Sequence, residues 1–128
     1  MIKNIKTLFL LLFTITAITV SCQSNDANSD INMTASELKQ AMSTDSNLVI
    51  LDVRTPQELI GQHGQIKGVI NIPVQVLSKR VNEMEQYKGK NIAVICRSGN
   101  RSVMATKIMQ ANGHKAKNVL GGMKSYNK

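Results

Sequence analysis

Ala93-Val94-Ile95-Cys96-Arg97-Ser98-Gly99-Asn100-Arg101-Ser102 reads as an apolar strand that ends in cysteine, a short polar loop, and the start of a helix. In an open parallel sheet, ligands bind outside the carboxyl ends of the strands. The helix start adds free backbone N–H groups and the positive end of its dipole. A loop curling from Cys96 to Arg101 can aim successive N–H groups at its own centre and so form an anion nest. Gly99 permits the backbone conformation this needs, and Arg97 and Arg101 add positive charge. A thiol in that setting has a lowered pKa, and the thiolate is the reactive form. The candidate nucleophile is therefore Cys96, with Arg97, Ser98, Gly99, Asn100, Arg101 and Ser102 as its anion-binding surround.

Working outward, strands and helices alternate. Asn91 to Ile95 is an apolar strand, and Asn47 to Val53 is another, apolar throughout its middle, as expected when both faces are buried. Ile31 to Met33 is a brief edge strand. Thr34-Ala35-Ser36-Glu37 has the form of a capping box and predicts a helix over 35–43. Thr55 is an N-cap and Pro56 the first position of a short helix. Val69 to Ile72 is a short strand closed by Pro73. Val74, Leu77, Val81 and Met84 form one apolar stripe and predict a helix from Val74 to Tyr87, with core packing as its purpose. Ser102 to Ala111 is a helix with Val103, Ile108 and Met109 turned inward. Ala116 to Leu120 is a last strand, followed by Gly121-Gly122 and a short tail. This alternation predicts an α/β fold: an open parallel sheet of about five strands flanked by helices on both faces.

The chain has 128 residues, and the first 21 read as a signal peptide. Lys3 and Lys6 give a basic start, and Leu8 to Val20 is an uncharged apolar run of signal-core length, short for a membrane span. It ends Thr19-Val20-Ser21-Cys22, which resembles the bacterial lipobox, with Thr19 where an aliphatic residue is usual. An acylated Cys22 would anchor the chain at about 0.8 kcal/mol per buried methylene. The alternative is plain secretion with Cys22 an incidental thiol. Either way the expected location is outside the cytoplasm, in the periplasm, with a membrane anchor through Cys22 under the first reading. Residues 22–30 are polar and form a tether. Residues 31–128 suffice for one hydrophobic core.

The net charge is +8, and without Lys3 and Lys6 there remain 14 basic and 8 acidic residues, or +6. The bases are scattered and aromatics are 3 %, which argues against nucleic acid and for small anionic ligands. With Cys22 acylated, Cys96 has no partner, and a lone thiol in an oxidising compartment implies chemical need. No metal-spaced Cys/His cluster and no internal repeat is present.

Cysteine phosphatases place an arginine six positions after their cysteine. Here that position is Ser102, and Arg101 comes one earlier, so the loop is shorter and fits a single sulfur better than a phosphate. The segment Cys96-Arg97-Ser98-Gly99-Asn100-Arg101-Ser102 closely resembles the active-site signature of single-domain rhodaneses. The resemblance extends over most of residues 31–126. Leu51-Asp52-Val53-Arg54-Thr55-Pro56-Gln57-Glu58-Leu59 is similar to the family's segment at the end of the central strand. Gly68-Val69-Ile70-Asn71-Ile72-Pro73 and Asn118-Val119-Leu120-Gly121-Gly122-Met123 match two further segments, with Tyr126 where an aromatic is expected. Gly64-Gln65-Ile66 departs from the usual Gly-His-Ile. His63, two residues earlier, is read as a solvent-facing loop residue.

The resemblance implies a sulfurtransferase working through a Cys96 persulfide, or a non-catalytic rhodanese-like module that carries sulfur or binds a partner. The donor would be a small anion such as thiosulfate or a persulfide, and the acceptor a thiol or cyanide. No metal or organic cofactor is implied. Asp52, Arg54 and Glu58 are expected near the site. Asp52 and Arg54 form either a structural ion pair or a substrate contact. Arg101 either shapes the pocket or pairs at the helix start, while Arg97 faces the pocket mouth.

Overall fold

A computed structural model of the chain describes residues 31–128. The expected signal peptide, the tether and Cys22 lie outside the described residues. In chain order the elements are β1 (Asn32–Met33), α1 (Ala35–Thr44), β2 (Leu48–Asp52), α2 (Pro56–Leu59), β3 (Ile70–Asn71), α3 (Val74–Arg80), a 3-10 helix (Val81–Tyr87), β4 (Asn91–Ile95), α4 (Asn100–Ala111), β5 (Lys115–Val119) and α5 (Gly122–Tyr126). The strands form one sheet in the order β1-β5-β4-β2-β3, and every pairing is parallel.

Strand periodicity divides the core. Leu51 and Val53 of the β2 segment pack with Ile92, Val94 and Cys96 of the β4 segment on one face, beneath Leu77, Val81, Met84, Ala105 and Met109. Ile50, Ala93 and Ile95 point the other way, towards Leu38, Ile66, Val119 and Met123. Successive strand side chains alternate faces, so central strands buried on both sides must be apolar throughout. Full burial of one such side chain contributes about 1.5–3 kcal/mol. The same parity puts Cys96 on the face covered by α4.

Local signals account for most boundaries. The Glu37 N–H donates to Thr34 Oγ1 at 3.1 Å, and Glu37 Oε2 accepts the Thr34 N–H at 2.6 Å, closing the box that starts α1. Glu58 Oε2 likewise accepts the Thr55 N–H at 3.0 Å at the start of α2.

Three expectations change. The helix from Val74 to Tyr87 is divided: α3 ends at Arg80 and a 3-10 helix follows. From Val81 the inward residues Val81, Met84 and Tyr87 recur every third position. Three residues per turn keeps that series on one side. Helix α4 begins at Asn100 instead of Ser102, and its buried face is Ser102, Ala105, Thr106 and Met109. Val103 and Ile108 are only half-buried, with Ile108 still packed against the core. Small residues there let the helix lie close over the sheet. Finally, the expected tail after Gly121 forms the helix α5.

Candidate active site

The chain runs from β2 outward to β3, then crosses back to β4 on the other side of β2. This reversal opens a crevice at the carboxyl ends of β2 and β4. Asp52 and Ile95 are direct partners across those two strands, so Arg54 and Cys96 both leave the sheet there.

Cys96 is almost fully buried, and the loop closes around its sulfur. The Gly99 N–H donates to Sγ at 3.1 Å, and Ser102 Oγ lies 3.2 Å from Sγ. Burial pushes the thiol pKa up. The Ser102 hydroxyl and the N–H groups of Ser102, Gly99 and Ser98 pull it down more strongly, so the net shift is below an ordinary cysteine. Hydrogen bonds to the charged form are what favour it.

The loop's carbonyl side faces the other way. The Met123 N–H donates to Cys96 O at 2.8 Å, and the Lys124 N–H donates to Arg97 O at 3.0 Å. Those donors are free because they belong to the first turn of α5. With its carbonyls held outside, the loop is left with N–H groups inside. Close approach makes this possible: a Cβ on Gly122 would collide with Cys96 O and with the Arg97 backbone. Gly99 takes φ +96°, a left-handed conformation suited to glycine.

The predicted surround separates into distinct roles. Ser98, Gly99 and Ser102 face the sulfur through N–H or hydroxyl groups. Arg101 gives both terminal nitrogens to Glu58, at 2.8 and 2.7 Å, tying the start of α4 to α2. That pairing holds the Glu58 carboxyl down to about 2, against partial burial and with help from the Thr55 N–H. Asn100 is exposed on the first turn of α4, and Arg97 is exposed at the rim. Arg97 lines a cleft of about 220 Å³ with Arg54, Glu58, Gly61, Gln62 and His63. His63 is half-buried rather than solvent-facing, and its Nε2 is shielded, with no hydrogen-bond partner among the described residues. A larger cavity of about 510 Å³ lies at the amino ends of β4 and β5. It shares no residue with the cysteine loop, and the carboxyl-end crevice is where a parallel sheet places chemistry.

Asp52 and Arg54 form a buried ion pair, with Arg54 Nη2 2.7 Å from Asp52 Oδ2 and Nε 3.0 Å from Oδ1. Arg54 Nη2 also donates to Gly64 O at 2.8 Å. The pair thereby fastens the 60–67 loop to the end of β2. Two polar residues absent from the predicted site, Asn71 and Asn118, join it here. Asn71 Nδ2 donates to the carbonyls of Asp52 and Arg54, at 2.9 and 2.8 Å. Asn118 Oδ1 accepts from Ser102 Oγ at 2.6 Å. Each interrupts a mostly apolar strand segment, and that is the only signal in the sequence that marks it out.

The profile of the rhodanese-like domain family matches residues 34–128. The chain belongs to that family. It is 38 % identical over 104 residues to the Bacillus subtilis (strain 168) "Putative sulfur carrier protein YrkF", covering 80 % of this chain and 54 % of that protein. The chain thus spans about half the length of that relative. It is 30 % identical over 74 residues to thiosulfate sulfurtransferase PspE of Escherichia coli (strain K12), covering 58 % of this chain and 69 % of that one. The crystal structure of a rhodanese-related protein from Thermoplasma volcanium superposes with a TM-score of 0.67 at 34 % identity, over 76 % of this chain and 90 % of that one. The open parallel sheet with helices on both faces is the architecture of this rhodanese-like domain, and sulfur transfer is the general class of its relatives.

Proposed function

We propose that the domain is a sulfurtransferase that carries sulfane sulfur on Cys96 as a persulfide. The observation that bears most weight is the closed loop, in which a buried Sγ receives the Gly99 N–H at 3.1 Å and touches the Ser102 hydroxyl at 3.2 Å. A low-pKa thiolate in a ring of donors is a ready nucleophile.

In the first half-reaction the Cys96 thiolate attacks the outer sulfur of thiosulfate. A new S–S bond forms, the donor's S–S bond breaks, and sulfite leaves with the electron pair. The negative charge now rests on the outer sulfur of the persulfide, facing the loop N–H groups. Arg97 at the cleft rim attracts the anionic donor. In the second half-reaction an acceptor thiolate takes the outer sulfur and Cys96 leaves as thiolate; cyanide in the same role gives thiocyanate. Two half-reactions on one nucleophile predict ping-pong kinetics.

A carrier role, in which a partner completes the second step, is the reading favoured by the resemblance to the sulfur carrier protein. We also place the protein outside the cytoplasm, anchored through an acylated Cys22, on the strength of residues 1–22. Intact-mass measurement of the native protein reports acylation directly. The same measurement after thiosulfate treatment should show one added sulfur on the domain, absent in Cys96→Ser. Thiosulfate:cyanide turnover separates enzyme from carrier. Persistent turnover in Cys96→Ser removes the assignment of that residue.

A further inference from the structure

The contacts of the Cys96 sulfur continue across two strands to the edge of the sheet. Ser102 Oγ lies 3.2 Å from Sγ and donates to Asn118 Oδ1 at 2.6 Å. Asn118 Nδ2 donates to Asn32 Oδ1 at 2.9 Å. Asn32 and Asn118 are direct partners in the pairing of β1 with β5. Ser102 and Asn118 are both buried, so the polarity of this chain of bonds is set within the protein.

Proton counting exposes a conflict. A serine hydroxyl has one proton to give. While Ser102 gives it to Asn118, its oxygen can only accept at the sulfur. That suits a thiol, whose S–H can donate to Oγ. A thiolate has no proton and needs a donor there. With the hydroxyl still aimed at Asn118, lone pairs would face each other across 3.2 Å.

A side-chain amide can resolve this, because its oxygen and NH₂ ends have almost the same shape and opposite hydrogen-bonding sense. Turned over, Asn118 would donate to Ser102 Oγ, and Ser102 would donate to the sulfur. Asn118 Oδ1 would then face Asn32, and the relay requires the Asn32 amide to turn with it.

We propose that Asn118 is a positioning residue of the sulfur site, whose amide orientation decides whether the Ser102 hydroxyl points away from Cys96 or towards it, with Asn32 as the outer link. This rests on the reading of Cys96 as the sulfur carrier. It deepens that reading by giving the edge strand β1 a part in controlling the nucleophile. The thiol state uses one polarity of the relay and the thiolate state uses the other, so both charge states of Cys96 are accommodated without moving the backbone.

The test is the pH profile of Cys96 alkylation by iodoacetamide in the intact domain. Asn118→Asp is nearly isosteric, and its carboxylate form only accepts, so in that form it holds the Ser102 proton away from the sulfur. Alkylation at pH near 7 should slow by about tenfold, with the midpoint moving up by about one unit. The added carboxylate also acts through space, so the comparison is repeated in a Ser102→Ala background. The relay requires most of the Asn118→Asp effect to vanish there, as coupled residues do in a double-mutant cycle. Asn32→Asp locks the same polarity from further away and should shift the profile in the same direction by less.

These variants leave untouched the charged groups around the loop: Arg97 and Arg101, Asp52, Arg54 and Glu58 from the other side of the crevice, and Lys124 of α5. An unshifted profile in Asn118→Asp, or a shift that survives Ser102→Ala, overturns the proposal. Should Asn118→Asp not fold, the same two outcomes in Asn32→Asp decide. Sulfur loading is read separately by mass. A wild-type domain that alkylates normally yet never gains sulfur would sink the carrier reading and leave the relay standing.

Discussion

Replacing Glu58 with Gln tests how α4 is fastened. Glu58 accepts both terminal nitrogens of Arg101 and the Thr55 N–H, and its carboxyl is held down to about 2 from an ordinary 4.5. A folded-state pKa below the unfolded one means the unfolded chain binds more protons between those values. The stabilisation is therefore complete above about pH 4.5 and is lost as the pH falls towards 2. At 1.36 kcal/mol per unit the shift sets an upper limit of about 3 kcal/mol. The side chain is 30 % exposed, so solvent screening reduces this to about 1–2 kcal/mol. Urea unfolding should show Glu58→Gln less stable than wild type by that amount at pH near 7. The gap should shrink below half by pH near 3, where the unfolded carboxyl is already protonated. A variant with the wild-type midpoint at neutral pH, or a gap that stays constant through acid, would refute the account.

Three further outcomes are expected. Gly122→Ala forces a Cβ into Cys96 O and the Arg97 backbone at a residue with φ +54°. It should cost more than about 2 kcal/mol and abolish sulfur loading, whereas loading at the wild-type rate would show that α5 need not touch the loop. Asp52→Ala leaves Arg54 buried without its partner and should destabilise the domain by about 3–5 kcal/mol; an unchanged urea midpoint would contradict that. The Cys96 thiol is shifted down by its hydrogen bonds, so its thiolate persists to lower pH than in an ordinary cysteine. Its alkylation midpoint should fall below that of an ordinary free cysteine measured alongside, and a midpoint at or above that reference would mean the loop donors do not reach the sulfur.

The strands and the placement of Cys96 at a strand end were legible because their signals are local. Buried parallel strands must be apolar throughout, which marks Asn47 to Val53 and Asn91 to Ile95. A cysteine between such a strand and a glycine-containing loop marks itself. The capping box at Thr34 was readable for the same reason, since its two bonds span only three residues. The division at Arg80 was not read, although the three-residue spacing of Val81, Met84 and Tyr87 was there to be counted. The start of α4 was placed two residues late because Asn100 and Arg101 look like loop residues until the Glu58 partner of Arg101 is known.

The sequence by itself determined the class of sheet, the cysteine and the charge around it. Those follow from hydrophobic period, side-chain type and chain order, which are properties of neighbours along the chain. The tertiary structure alone decided which polar groups reach the sulfur. Arg101 pairs with Glu58, 43 positions away, and Asn118 bonds Asn32 across 86. A hydrogen bond acts over about 3 Å and is blind to sequence separation, so its partners exist only once the sheet has brought its strands side by side.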